Sequence, residues 1–147
     1  MNDIDLCYLP ATQALELFKK KELSPVDLLQ AQISRAEAVE PTVNALTFTY
    51  FDEALEQARA AEQRYMKGDA SGVLDGLLIG IKDESYIAGK PTSSGSLSTE
   101  GFIPDTTSII NARILAEGGI VHTRTATPEF SCAGYCHSRR WGVTRNP

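Results

Sequence analysis

The run Leu77-Leu78-Ile79-Gly80-Ile81-Lys82, followed at once by Asp83-Glu84, constrains this chain more than any other stretch. It is apolar, too short for a buried helix and bracketed by glycine-rich turns, so it reads as a buried strand. The strand ends in a lysine. An ammonium taken out of water is costly unless it is paired or gives up its proton. The residues alone leave two outcomes open. Either Lys82 reaches solvent or pairs with Asp83 or Glu84, or it is held at an apolar sheet edge as a neutral amine, a general base suited to work beside a serine nucleophile. The C-terminal ends of strands are where α/β sheets place their sites, which suits the second outcome.

Three helical patterns fill the first half. One runs from about Thr12 to Lys21, with Ala14, Leu15, Leu17 and Phe18 on one side and three lysines closing it. A second starts at Ser24 as N-cap with Pro25 at the first helical position, and Pro41 is expected to stop it. The third spans about Asp52 to Lys67, carries Ala54, Ala58, Ala61 and Tyr65 on one stripe, and ends at Gly68. The second half changes character. The apolar strand gives way to a turn-rich loop, Ala88 to Ser96. Thr106 or Thr107 then caps a helix ended by Gly118-Gly119, and Ile120-Val121-His122-Thr123 reads as a strand. Thr127-Pro128-Glu129-Phe130 reads as a further helix start. Leading helices followed by strand, loop, helix and strand predict an α/β fold with a mixed sheet, part of it parallel.

A formal charge of −5 and a pI near 5.0 argue against nucleic acid or an anionic membrane as partner. No apolar run approaches the ~20 residues of a membrane span, and the opening MNDIDLCYLP has no basic leader. Three cysteines, Cys7, Cys132 and Cys136, are an odd count that fits free thiols in a reducing cytoplasm. Cys132-x3-Cys136-His137 with His122 upstream lacks the usual metal spacing and a second pair, so no metal site is expected.

Several ordered blocks carry a family resemblance. GVLDGLLIGIKDESYIAGKPTSSGS, Gly72 to Ser96, resembles the first signature block of the amidase signature family, a Gly-x-Leu-x-Gly run to Lys-Asp followed by a Pro-Thr-x-x-Gly-Ser loop. ARILAEGGIV (Ala112 to Val121), TRTATPEF (Thr123 to Phe130) and WGVTRNP (Trp141 to Pro147) are similar to later blocks of that family in the same order. ELSPVDLLQAQISRAEAVEPTVNAL is similar to its leading helix and Asn-Ala loop, so the resemblance extends from about Leu15 onward. Arg124 and Ala126 depart from the lysine and asparagine usual at those places.

The resemblance implies the N-terminal part of an α/β/α amidase domain, with residues 1–70 as a helical region and 71–147 as the start of the core. It implies hydrolysis of non-peptide C–N bonds by a Ser–cisSer–Lys triad, with Lys82 as the catalytic lysine, a small amide as substrate and neither metal nor organic cofactor. Oxyanion stabilisation by backbone N–H groups, worth ~3–4 kcal/mol per donor, belongs to the same scheme. The variable stretch Ser131 to Arg140 lines the acyl-side pocket in the family, which makes Ser131 and Cys132 candidate substrate contacts. The bridging and nucleophilic serines follow the Asn-Pro block, so both fall beyond Pro147 and these 147 residues alone are not expected to hydrolyse amides. An open sheet edge would then invite self-association or a complementing C-terminal segment. A second branch of the family, the glutaminase component of a tRNA-dependent amidotransferase, usually reads Met-Asp where this chain has Thr127-Pro128. A third reading is a truncated, non-catalytic product that acts only by association.

Overall fold

A computed structural model describes residues 2–147. It divides into two units, each assembled from separated stretches of chain. The first comprises residues up to Ala38, Tyr50–Ile79 and Ile114–His122, and the second comprises Val39–Thr49, Gly80–Arg113 and Thr123–Pro147.

The first unit is helical. Helices α1 (Asp3–Cys7) and α2 (Ala11–Lys20), most of α3 (Pro25–Val43) and all of α4 (Phe51–Lys67) build it. The expected N-cap is present, since the Ser24 hydroxyl accepts from the Val26 amide at 3.0 Å. One stripe of α4, Ala54, Ala58 and Ala61, is fully buried, and small side chains there allow close helix approach. Phe18 of α2 packs on Tyr65 of α4 with ring centroids 5.7 Å apart, beside Leu6, Ala14, Leu28 and Ala31. A second cluster joins Leu29, Ala54, Ala58 and Ile120.

The strands form a mixed sheet. β1 (Leu46–Thr49), β2 (Leu78–Lys82) and β3 (Ile120–Thr125) lie in the order β1-β3-β2. β1 runs antiparallel to β3, with Phe48 opposite Arg124. Along β2, the Leu77 carbonyl meets the Ile120 amide and, further along both strands, the Asp83 amide meets the Thr125 carbonyl. That register is parallel. In the second unit, α5 (Ile109–Ala116) begins, and a short hairpin of β4 (His137–Ser138) and β5 (Gly142–Val143) follows.

The expected α/β class and mixed sheet are present, and the local departures have physical causes. Pro41 does not stop α3, which runs on to Val43. Its last turn keeps a bond from the Asn44 amide to the Glu40 carbonyl, and Asn44 ends the helix in the left-handed region at φ 53°. Residues 1–70, expected as a helical region, also contain the four-residue strand β1. Neither Thr106 nor Thr107 caps α5. The Ser108 carbonyl accepts its first bond, from Ala112, while the Thr107 hydroxyl accepts from the Ala88 amide. Thr127-Pro128-Glu129-Phe130 starts no α-helix. It makes a single 3₁₀ turn, Glu129–Ser131, because Phe130 and Ser131 both take left-handed backbone angles, φ 48° and 55°.

Candidate functional site

Lys82 is the last residue of β2, and the chain turns immediately after it. The Ser85 amide donates to the Lys82 carbonyl at 3.1 Å, closing the turn Lys82-Asp83-Glu84-Ser85. The lysine side chain is 45% exposed and its ammonium has two protein partners. It donates to the Ser131 hydroxyl at 2.7 Å and pairs with a Glu84 carboxylate oxygen at 3.0 Å. The Ser131 hydroxyl in turn donates to the other Glu84 oxygen, and Thr127 Oγ1 lies 3.1 Å from it. The Ser131 hydroxyl, aided by Lys82, holds the Glu84 carboxyl below its ordinary value against the opposing pull of burial.

The alternation of side chains after a strand explains the division of labour in this turn. Glu84 faces outward to the lysine, and Asp83 faces inward and is fully buried. The Asp83 carboxylate accepts from the Ser93 amide at 2.9 Å and from the Ser93 hydroxyl. Ser93 Oγ also accepts from the Trp141 indole at 2.8 Å and from the Gly95 amide at 3.2 Å. Arg124 of β3, equally buried, directs one guanidinium nitrogen at the Ser85 carbonyl (2.7 Å), the Lys82 carbonyl (3.3 Å) and Thr92 Oγ1 (3.3 Å). Its closest approach to Asp83 is 3.9 Å. Further along the loop, the buried Ser96 hydroxyl donates to Glu129 at 2.5 Å.

Two of the three residues singled out in the sequence therefore meet: Lys82 and Ser131 share a hydrogen bond. Cys132 is exposed, and its thiol donates to the Phe130 carbonyl at 3.3 Å. The lysine's environment also carries the features expected of the plainer alternative, solvent exposure and a Glu84 ion pair. Sequence reasoning missed the buried layer beneath. Ser93 and Ser96 read as turn residues, yet both are 1% exposed and bonded to carboxylates. The available signal was the coincidence of an acid directly after the strand with two serines and a downstream acid, too common a pattern to single out. Among the described residues, no three His, Cys, Asp or Glu side chains converge as metal ligands.

Comparison with known proteins places these features in a family. The Amidase family model matches residues 27–147. A glutamyl-tRNA(Gln) amidotransferase subunit of Chloroflexus aggregans is 34% identical over 143 residues, covering 97% of this chain and 29% of that protein. Its counterpart of the same name from Trichormus variabilis is 32% identical over 90% of this chain and 27% of its own length. Among solved structures, fatty acid amide hydrolase superposes with a TM-score of 0.92 at 25% identity, over 99% of this chain and 26% of that one. A bacterial aryl acylamidase superposes with a TM-score of 0.88 at 27% identity, over 97% and 30%. The chain thus spans less than a third of the length of the relatives it matches. On the match of its residues 27–147, the chain belongs to the amidase family.

Proposed function

We propose that the chain supplies the lysine of an amide-bond hydrolase acting on small amides in the cytoplasm. Lys82 is the proton acceptor of a Ser–cisSer–Lys triad whose two serines lie outside these 147 residues. In that scheme the lysine, as a neutral amine, takes a proton from the bridging serine, which relays it from the attacking hydroxyl. The nucleophile's oxygen adds to the amide carbonyl, the C–N bond breaks as the leaving nitrogen is protonated, and water then releases the acid from the acyl-enzyme. The observation that carries this reading is the place of Lys82 Nζ at the C-terminal end of β2, half-exposed and already 2.7 Å from a serine hydroxyl. Ser131 and, one residue on, Cys132 are the proposed contacts on the acyl side. Association, with a second copy or with a segment bearing the serines, belongs to the same proposal. It is motivated by exposed apolar side chains such as Ile109, Ile110 and Ile103.

A second reading is favoured by the names of the curated relatives, which are amidotransferase subunits. On that reading the amide is glutamine and the ammonia passes to glutamyl-tRNA. Thr127-Pro128, where that branch usually has Met-Asp, speaks against it.

The test is to offer the protein made from its native gene three amides: a short aliphatic amide, an anilide and glutamine. Release of ammonia or aniline, from a species that sediments above 16.0 kDa, is the expected result. Turnover of glutamine alone selects the second reading, and no turnover of any amide overturns both.

A further inference from the structure

The Lys82–Ser85 turn is held from beneath by a side chain that touches neither the lysine's ammonium nor solvent. We propose that Arg124 is a positioning residue for Lys82: its guanidinium spans the two ends of the turn and sets the direction in which the lysine side chain leaves the strand. This inference rests on the reading of Lys82 as the proton acceptor.

The geometry is specific. A β-turn is defined by its first and fourth residues, and here those are Lys82 and Ser85. One Arg124 nitrogen donates to the carbonyls of both, at 3.3 and 2.7 Å. The Lys82 carbonyl also accepts from the Glu84 amide at 2.8 Å and the Ser85 amide at 3.1 Å, so the peptide plane that follows the lysine is fixed on several sides. With that plane fixed, the Cα–Cβ bond of Lys82 has one direction, and the side chain is aimed at Ser131 and Glu84.

Through its bonds to Lys82 and Ser85, Arg124 links main-chain carbonyls, which a planar, multi-donor guanidinium does and an ammonium point charge reproduces only in part. Asp83, whose nearest oxygen is 3.9 Å from Arg124, directs its carboxylate to Ser93. The same layer continues to the chain's only tryptophan, since Ser93 Oγ accepts from Trp141. The lysine's turn, the Thr92–Ser96 loop and Trp141 are accordingly held through one set of bonds.

The experiment compares the wild-type chain with Arg124→Met, which keeps the volume, and Arg124→Lys, which keeps the charge. Amide exchange at Glu84 and Ser85 reads the rigidity of the turn. The carbon-13 signal of reductively dimethylated Lys82, assigned with Lys82→Arg, reads the lysine's surroundings. Arg124→Met is expected to melt cooperatively, to exchange these two amides at least about tenfold faster and to shift the Lys82 signal, with Arg124→Lys intermediate. A folded Arg124→Met with wild-type exchange and an unmoved Lys82 signal overturns the inference. Wild-type amides at Glu84 and Ser85 that exchange as freely as an unstructured turn also overturn it, whether or not the variant folds. Neither readout needs turnover. A loosened turn together with a Lys82→Gln protein that still hydrolyses amides would sink the functional reading and leave the clamp standing. An inactive Lys82→Gln with an unmoved Arg124→Met would do the reverse.

Discussion

Asp75 shows at a single residue how buried charge is managed in the helical unit. Its side chain is inaccessible to solvent, and burial by itself pushes the carboxyl up. The Arg64 guanidinium, bonded at 2.9 and 2.5 Å, and the Ser71 amide more than reverse that, so the carboxyl ends below its ordinary value of 3.8. A carboxyl depressed on folding contributes stability that is complete above the unfolded value and is lost as pH falls through the folded one. Asp75→Asn is therefore expected to cost about 2 kcal/mol at neutral pH, from weakened bonds to a charged partner. It should also flatten the acid limb of the stability curve below about pH 4. Urea unfolding from neutral pH down to about pH 2.5 checks both, and an acid limb as steep as wild type would exclude Asp75 as its source. Glu84 is depressed as well, but its half-open position at the site leaves less of that shift for folding.

At the scale of elements, the loop after β2 depends on one backbone conformation. Gly95 has φ 66°, and a Cβ there would lie 2.6 Å from the Thr127 carbonyl oxygen and 3.1 Å from the Glu129 amide nitrogen. Both are backbone atoms with little room to yield. Gly89 has a similar φ of 76° with nothing within 4 Å. Gly89→Ala should then cost only the left-handed penalty, about 1 kcal/mol, whereas Gly95→Ala adds a clash and should cost about 2 kcal/mol or more. Equal melting shifts for the two variants would contradict this packing. The elements also show what sequence patterns reach. The α4 stripe and its Gly68 end and the Ser24 cap are set by local periodicity and cap chemistry, and each is where those rules put it. The apolar run does form strand β2, but not the buried strand expected, because it lies at the edge of the three-stranded sheet and only Ile81 of it is buried. β1 escaped because its four residues, Leu46-Thr47-Phe48-Thr49, alternate apolar and polar over too short a run between two helices to stand out, and gain their partner from distant β3. The helix expected from Thr127 fails because Phe130 and Ser131 adopt left-handed angles, and Ser131 there bonds to Lys82 and Glu84. Tertiary bonding outweighs a helix-start signal worth ~1 kcal/mol.

The whole molecule divides the work between a helical unit and a unit that bears the candidate site. Lys82, Glu84, Ser131, the buried Asp83–Ser93 pair and Arg124 all belong to the second unit, so the site's geometry is internal to it. The place of Lys82 at a strand end was legible in the sequence because an apolar run ending in a charge is unusual, and the family's block order around it made it the candidate. The clamp beneath it was not, because a buried arginine and a buried serine look like surface polar residues until the sheet brings them together. The central claim is that Lys82 is the proton acceptor in amide hydrolysis. The most direct measurement is the turnover of a small amide by the protein from its native gene, wild type against Lys82→Gln. Loss of kcat by at least about 10²-fold, the usual contribution of a positioned base, with the variant still folded, is the predicted result. A Lys82→Gln protein within about twofold of wild type, a change too small for a positioned base, would contradict it.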